Sequence, residues 1–259
     1  MCFRRGGTSI RRMVIVLALL ALPAAWAGPP FITDDPEIPP PNGWEINVPF
    51  ILEHSRGETD MEAPLFDINY GMPAMYWVPH MQLKLEIPVA VESRNGGSTE
   101  AGPGDMLLGI KWPFLEEQGW RPMVGIYPQV LVPTGDRSRR LGEGRPAYIL
   151  PVLAEKHWGK WTAYGDVGYV VQTADDERNY WYGGVSINRE INNRLELGGE
   201  IAWNSPPEPE GYSNLAFNLG GTWKLSDQFN LLFSAGRSIH GETDFMAYLG
   251  IQMELGGTK

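Results

Sequence analysis

Apolar and polar residues alternate with a period of two in twelve successive stretches between residues 43 and 255. In the third stretch, Leu83, Leu85 and Ile87 alternate with Gln82 and Lys84. A period of two places successive side chains on opposite faces of a β-strand. Many such strands in series are typical of a transmembrane β-barrel: one face meets lipid, the other lines the lumen, and closure leaves no unpaired edge. The sequence therefore predicts an all-β fold, a twelve-stranded antiparallel up-and-down barrel in the outer membrane of a Gram-negative bacterium.

The connections between the predicted strands alternate in length. In chain order the predicted strands span Trp44–Glu53, Ala63–Gly71, Met81–Val91, Met106–Phe114, Arg121–Pro133, Ala147–Glu155, Lys160–Gln172, Asn179–Arg189, Leu195–Trp203, Leu215–Trp223, Gln228–Ser238 and Phe245–Leu255. Longer polar connections, predicted as external loops, are His54–Met61, Glu92–Gly104, Thr134–Arg145, Thr173–Arg178, Asn204–Ser213 and Ile239–Asp244. The predicted periplasmic turns are Glu116–Gly119, Lys156–Gly159, Glu190–Asn193 and Leu225–Asp227, with the apolar Met72–His80 as an exception. An even strand count returns both termini to the periplasm.

A soluble β-sandwich or jelly roll would also suit a chain of this length that is rich in glycine and proline. Such a fold would collect its tryptophans at mid-strand positions in the core. Here they fall at strand ends and predict two aromatic girdles, since indole favours the membrane interface. The girdle tryptophans are Trp44, Trp77, Trp112, Trp120, Trp158, Trp161 and Trp223 at the short-turn ends, and Trp181 and Trp203 at the loop ends.

The first 27 residues have the features of a secretory signal peptide. Four arginines precede the apolar run Met13–Leu22, and Ala25-Trp26-Ala27 supplies small residues before a cleavage point. A membrane-spanning helix is the alternative, but it needs about 20 apolar residues and Pro23 ends this run early. We therefore expect cleavage after Ala27, an N-terminal segment over residues 28–42 and a barrel over residues 43–259.

Charge and cysteine content exclude several classes of function. Without the four signal arginines, 17 Lys plus Arg remain against 31 Asp plus Glu, a net charge of −14. Nucleic acid is therefore an unsuitable partner. The single cysteine, Cys2, lies in the predicted signal peptide, which excludes disulfides and thiol catalysis from the mature chain.

Several stretches resemble an outer-membrane family named for the MetA pathway of phenol degradation and often labelled simply as transporters. They are Gly28–Glu37 (GPPFITDDPE), Asp67–Gly71 (DINYG), Gly102–Asp105 (GPGD), Pro133–Asp136 (PTGD), Trp161–Gly165 (WTAYG) and Asn179–Trp181 (NYW). The resemblance covers nearly the whole mature chain. It implies a twelve-stranded outer-membrane barrel with a role in the uptake of small compounds, including aromatic ones, and it assigns no residue roles.

The polar residues on the inner faces of the predicted strands are the candidate lumen residues. In one interpretation their charges pair within a filled interior, because a barrel of this size is only slightly wider than those that side chains can fill. In the other they line a narrow aqueous path, and we expect partial occlusion. The candidates are Glu45, Asn47, Glu53, Asp67, Asn69, Gln82, Lys84, Glu86, Lys111, Asp166, Arg194, Glu196, Glu200, Lys224 and Glu254.

The segment Gly28–Asn42 contains Pro39-Pro40-Pro41 and the acidic residues Asp34, Asp35 and Glu37. Its prolines predict neither strand nor helix. It is either a periplasmic tail or a plug that folds into the barrel mouth. Its carboxylates do not have the spacing of an EF-hand calcium loop.

A basic cluster in the third external loop contains Arg137, Arg139, Arg140 and Arg145. Guanidinium groups bind phosphates, so contact with lipopolysaccharide is expected, and capture of an anionic solute is the alternative. Outer-membrane lipid and the barrel-assembly machinery are the other expected partners. The last strand ends at Leu255 and not at the aromatic residue that assembly usually recognises.

The sequence predicts no enzyme, cofactor or metal site, because all four histidines fall in predicted loops or turns and no two lie close together. We therefore expect a passive channel or transporter for small solutes. The alternative is a closed barrel with a structural or adhesive role.

Overall fold

The computed structural model describes residues 29–94, 97–174, 178–207 and 211–257. The predicted signal peptide, residues 1–27, lies outside the described residues and stays a prediction. Within the described part of the chain, no helix is long and apolar enough to cross a membrane.

The described residues form twelve antiparallel strands in one closed barrel, which confirms the predicted fold. The strands are β1 Gly43–Ser55, β2 Glu58–Met72, β3 Met81–Arg94, β4 Thr99–Pro103 and Met106–Leu115, β5 Met123–Ile126 and Gln129–Val132, β6 Ala147–Trp158, β7 Trp161–Gln172, β8 Tyr180–Asn192, β9 Leu195–Asn204, β10 Asn214–Lys224, β11 Phe229–His240 and β12 Thr243–Gly256. Strand β1 pairs with β2 on one side and with β12 on the other, and this pairing closes the barrel. Two strands are interrupted, β4 at residues 104–105 and β5 at Tyr127 and Pro128, where Pro128 has no N–H to donate.

The distribution of apolar and polar side chains is the reverse of that in a soluble protein. On β3, Gln82 and Lys84 are buried inside the barrel, whereas Leu83 and Ile87 are exposed on its outer surface. The same alternation repeats around the barrel, and large exposed apolar side chains cover its outside. An outer surface of this kind is favourable in contact with lipid and unfavourable in contact with water.

The tryptophans lie near the two ends of the barrel. Trp44, Trp158 and Trp223 lie at the end where β1 begins and β12 ends, and Trp77 and Trp120 lie in turns at that end. Trp181 and Trp203 lie at the opposite end. We call the first of these ends periplasmic and the second external, following the orientation expected for a barrel with both termini in the periplasm.

Three external connections are shorter than predicted. The connections after β1, β3 and β11 are short, because the strands continue beyond the predicted boundaries. The hairpins after β1 and β11 turn at Gly57 and Gly241, whose φ angles of 96° and 132° favour glycine. The polar side chains at these strand ends do not prevent pairing, because hydrogen bonds to the neighbouring strand satisfy the backbone groups there whatever the side chains are. The longer external connections span residues 133–146, 173–179 and 205–213.

The histidine placement also needs correction. His54, His157 and His240 do not lie in loops but near the ends of β1, β6 and β11, and only His80 lies outside a strand. The change matters most for His157, because a strand holds its side chain at a defined position on the periplasmic rim.

Candidate functional site

The N-terminal segment, residues 29–42, lies inside the barrel. Phe31, Thr33 and Asp34 are each 1% exposed. The segment forms no strand, which agrees with its prolines, and several of its backbone groups bond instead to side chains of the lumen wall.

Glu200 on β9 holds the middle of this segment. Its carboxylate accepts hydrogen bonds from the backbone N–H of Ile32 and of Thr33, both at 2.8 Å. It also accepts from Thr33 Oγ1 at 2.7 Å and from Asn218 Nδ2 at 2.6 Å. Hydrogen bonds to an ionised acceptor are stronger than neutral ones, so Glu200 is the main polar anchor of the segment.

Asp34 connects the segment to the opposite side of the wall. Lys111 Nζ on β4 lies 2.9 Å from Asp34 Oδ1 and donates to the backbone oxygen of Asp35 at 2.8 Å. The Asp34 N–H donates to Asp166 on β7 at 3.3 Å. Burial raises the pKa of the Asp34 carboxyl to about 6, although the Lys111 ammonium opposes the shift.

The two ends of the segment reach other parts of the wall. Ser234 on β11 donates to the backbone oxygen of Pro30. At the other end, Pro39 and Pro40 pack against Gly71 of β2, where a Cβ atom would lie 2.2 Å from the Pro40 carbonyl oxygen. The segment therefore crosses the lumen from β11 to β2, and glycine at position 71 permits the close approach.

An apolar cluster packs against the segment on one side. Ile32 packs against four buried side chains that point inward from β1, β2, β11 and β12. They are Ile51, Leu65, Leu232 and Tyr248.

A cavity of about 800 Å³ lies on the periplasmic side of the segment. Its wall includes Lys84, which pairs with Asp67 at 3.2 Å and with Glu86 at 2.6 Å. Asn47 donates to Asp67 at 2.9 Å and extends the network to β1. Lys111 lies over the ring of Tyr127 at 4.8 Å, which adds a cation–π contact.

A second cavity, of about 150 Å³, lies toward the external end and has two different walls. Strands β1 to β3 supply carboxylates, namely Glu53, Asp60, Glu62, Glu86 and Glu92. Strands β4 to β7 supply an apolar patch, namely Leu107, Leu131, Ala147, Ile149 and Val170, against which Tyr180 and Tyr182 pack. The cavity can therefore contact the apolar part of a solute and a positive charge at the same time.

The structure places most candidate lumen residues on the inner wall. Buried there are Asn47, Asp67, Asn69, Gln82, Lys84, Lys111, Asp166 and Glu200, and half-buried are Glu45, Glu53, Glu86 and Glu196. Glu254 and Lys224 are exposed at the periplasmic mouth, where Lys224 pairs with Asp227 at 3.1 Å. Arg194 needs correction, since it lies in the turn between β8 and β9 and not on a strand.

Sequence reasoning missed several acidic lumen residues. Asp60 and Glu62 face inward because the register of β2 shifts between Glu62 and Leu65, so one parity does not describe the whole strand. Glu155 was not identified as a lumen residue because β6 is apolar on both faces, with Ile149 and Leu153 inside and Leu150 and Val152 outside. Alternation cannot identify the inner face of such a strand.

The basic external loop is held by acids of this same chain. Arg139 lies 2.9 Å from Glu100, Arg140 pairs with Glu92, and Arg137 donates to the Glu143 carbonyl oxygen at 2.9 Å. The loop is further fastened by Asp105, whose carboxylate accepts from two loop N–H groups, those of Gly135 at 2.7 Å and Glu143 at 2.6 Å. Binding of lipopolysaccharide or an anionic solute would have to compete with these contacts.

Comparison with solved structures supports the architecture. An outer membrane channel from Pseudomonas putida F1 superposes with a TM-score of 0.72 at 14% identity, covering 85% of this chain and 98% of the other. CymD, described as a monoaromatic hydrocarbon channel, has a TM-score of 0.40 at 6% identity over 83% of this chain and 88% of its own. OprB of Pseudomonas putida has a TM-score of 0.40 at 8% identity over 82% and 91%. The first of these likenesses confirms the barrel fold.

Comparison with curated protein sequences gives no match. The family model described as "Putative MetA-pathway of phenol degradation" matches residues 33–254, and the chain belongs to that family.

Proposed function

We propose that this protein is a non-enzymatic outer-membrane channel for the passive uptake of small solutes. The observation that carries the proposal is a polar lumen with a cavity on each side of the N-terminal segment. A barrel with a purely structural role has no need of such interior space. The lipid-suited outer surface and the solved outer membrane channel of the same fold agree with this function.

The attachment of the N-terminal segment favours a channel that can open. Side-chain hydrogen bonds, ion pairs and apolar packing hold the segment, and it adds no strand to the wall. Water can replace hydrogen bonds of this kind at a modest net cost in free energy. Movement of the segment would join the two cavities into one path without breaking the barrel.

The external cavity indicates the class of solute. Its apolar patch suits an aromatic or hydrophobic group, which agrees with the name of the family. Currents through the purified protein in planar bilayers test the function. If neither the full chain nor a chain without the N-terminal segment passes ions, a closed structural barrel becomes the better description.

Replacement of Glu200 by alanine is expected to raise the fraction of time that the channel spends in its more conducting state. The change removes three hydrogen bonds that the carboxylate accepts from Ile32 and Thr33. Single-channel recording measures the effect. The matched control is Glu196→Ala, which removes a lumen carboxylate from the same face of β9 nearer the periplasmic end. Equal behaviour of both variants would show that lumen charge, and not anchoring, controls the current.

The channel is expected to prefer cations. Lys84 and Lys111 are each paired with acids, whereas Glu53, Asp60 and Glu62 add negative charge to the wall of the external cavity. Arg140 lines the same cavity but is paired with Glu92, and the other loop arginines are exposed, where salt screens them within about 8–10 Å. Carboxylates in a confined lumen act at close range. The reversal potential across a salt gradient measures the preference. Anion selectivity would contradict this expectation and make the arginine loop the better candidate for solute capture.

A further inference from the structure

Three side chains with metal-binding atoms meet where the N-terminal segment reaches the periplasmic end of β6. They are Glu37 of the segment and Glu155 and His157 of β6, and their donor atoms lie within 4.8 Å of one another. His157 Nε2 is 3.9 Å from Glu37 Oε1 and 3.6 Å from Glu155 Oε1. Two ligands of one tetrahedral zinc ion lie about 3.4 Å apart, given metal–ligand distances of about 2.0–2.2 Å. Small side-chain movements would therefore bring the three atoms around one ion.

A fourth residue orients the imidazole toward the two carboxylates. Glu117, in the turn between β4 and β5, has Oε2 at 2.9 Å from His157 Nδ1 and accepts from the His157 backbone N–H at 3.1 Å. The same carboxylate pairs with Lys156, so Glu117 acts as an acceptor here. A carboxylate that accepts from the N–H at Nδ1 leaves the lone pair of Nε2 directed at the cluster. Metal-binding histidines typically have this arrangement.

Glu155 supplies an independent indication of a missing partner. The residue is 4% exposed, and its Oε1 has no hydrogen-bond partner within the described residues. A buried carboxylate oxygen without a partner is costly, and the neighbouring Glu37 adds a second negative charge. A cation between the two would remove both penalties.

A comparable acidic cluster at the external end also has a buried carboxylate oxygen without a hydrogen-bond partner among the described residues, Glu92 Oε2, but arginines already lie beside it. Glu58, Asp60 and Glu92 also bring their carboxylates within 4.8 Å of one another. Arg94, however, pairs with Glu58 and lies 3.1 Å from Glu92, and Arg140 pairs with Glu92 as well. These two guanidinium groups already supply positive charge to the external cluster.

We propose that Glu37, Glu155 and His157 form a binding site for one divalent transition-metal ion such as Zn²⁺. One imidazole nitrogen and two carboxylate oxygens suit zinc and related ions, and the partly exposed Glu37 and His157 leave room for a water ligand. Because Glu37 belongs to the N-terminal segment and the other two ligands belong to the wall, the ion links the segment to the barrel. Metal binding therefore stabilises the position of the segment inside the lumen.

Metal titration of the purified full-length protein in detergent tests the site directly. After removal of metals with a chelator, Co²⁺ is followed by its visible absorption and Zn²⁺ by calorimetry. We expect one equivalent to bind, with at least tenfold weaker binding in Glu155→Gln and in His157→Gln. Glu117→Gln should weaken binding about 10- to 100-fold, as expected for a group that orients a ligand. Glu254→Gln, which removes an exposed acid from the same mouth, is the control and should bind like the wild type.

Folding of each variant is checked by its heat-dependent migration on gels, so that a misfolded barrel is not counted as a lost site. Glu37→Gln provides a second test, since it changes only the segment and leaves the wall intact. The proposal is overturned if the wild type shows no saturable binding at millimolar Zn²⁺ and Co²⁺. It is equally overturned if folded variants at positions 37, 155 and 157 all bind as tightly as the wild type.

Conductance supplies a separate readout that rests on the proposed channel function. Zn²⁺ should lower the wild-type current, and a chelator should restore it. Glu37→Gln should abolish this response to Zn²⁺. Metal binding without any current in wild type or variants would leave the site intact and contradict the channel. Current without metal binding would contradict the site alone.

Discussion

Deletion of residues 29–41 is expected to raise the single-channel conductance severalfold. The segment crosses the middle of the lumen from β11 to β2, and Phe31, Thr33 and Asp34 are almost fully buried there. The deletion removes these residues from the path and joins the periplasmic and external cavities. The barrel itself should remain folded, because the segment adds no strand and β1 still pairs with β12. Single-channel recording in planar bilayers measures the change.

A variant that carries a Gly-Ser chain of equal length in place of residues 29–41 is the matched control. This variant keeps a chain of the same length before β1 but loses the contacts to Glu200 and Lys111. We expect frequent openings to a level close to that of the deletion. An unchanged current in both variants would show that the segment does not limit conduction, and the external loop at residues 133–146 would become the candidate constriction.

Leu219→Arg is expected to destabilise the barrel by about 2–4 kcal/mol, the cost of a cationic side chain on the lipid face near the bilayer midplane. Leu219 lies in the middle of β10 and is 65% exposed on the outer surface. In water such an exposed leucine would tolerate arginine well, so the prediction depends on the surface facing hydrocarbon. Equilibrium folding into lipid vesicles, followed by tryptophan fluorescence during a urea titration, measures the loss.

Leu225→Arg is the control for that substitution. Leu225 follows the same strand, lies beyond Trp223 and is 48% exposed. At the interface the same charge should cost only about 0–1 kcal/mol. Similar losses at both positions would contradict the assignment of this face to lipid, and a negligible loss at both would indicate that the outer surface meets water.

Much of the wall could be predicted from local sequence. The alternation of extended residues is a property of the backbone itself, so it placed Lys84, Lys111 and Glu200 inside and Leu219 outside before any pairing was known. The number of strands and the closure of the barrel followed from the same pattern, since lipid tolerates no unpaired edge.

Local sequence was insufficient wherever the pattern had no preferred face or changed phase. Glu155 lies on a strand that is apolar on both faces, and Asp60 and Glu62 lie on the far side of a register shift in β2. The lengths of the external hairpins also depended on pairing, because a polar strand end becomes a ladder or a loop according to its neighbour.

The alternating sequence by itself determined a lipid-facing barrel with a charged interior, whereas the tertiary structure decided what occupies that interior. The N-terminal segment has no periodicity, because its prolines exclude regular structure. Its partners are distant in sequence: Thr33 meets Glu200 across 167 residues and Asp34 meets Lys111 across 77. His157 and Glu37 likewise come together only when the segment is inside the barrel. Such contacts depend on closure, which brings side chains from separate strands to one point in the lumen and leaves the buried polar groups of the segment to find partners there.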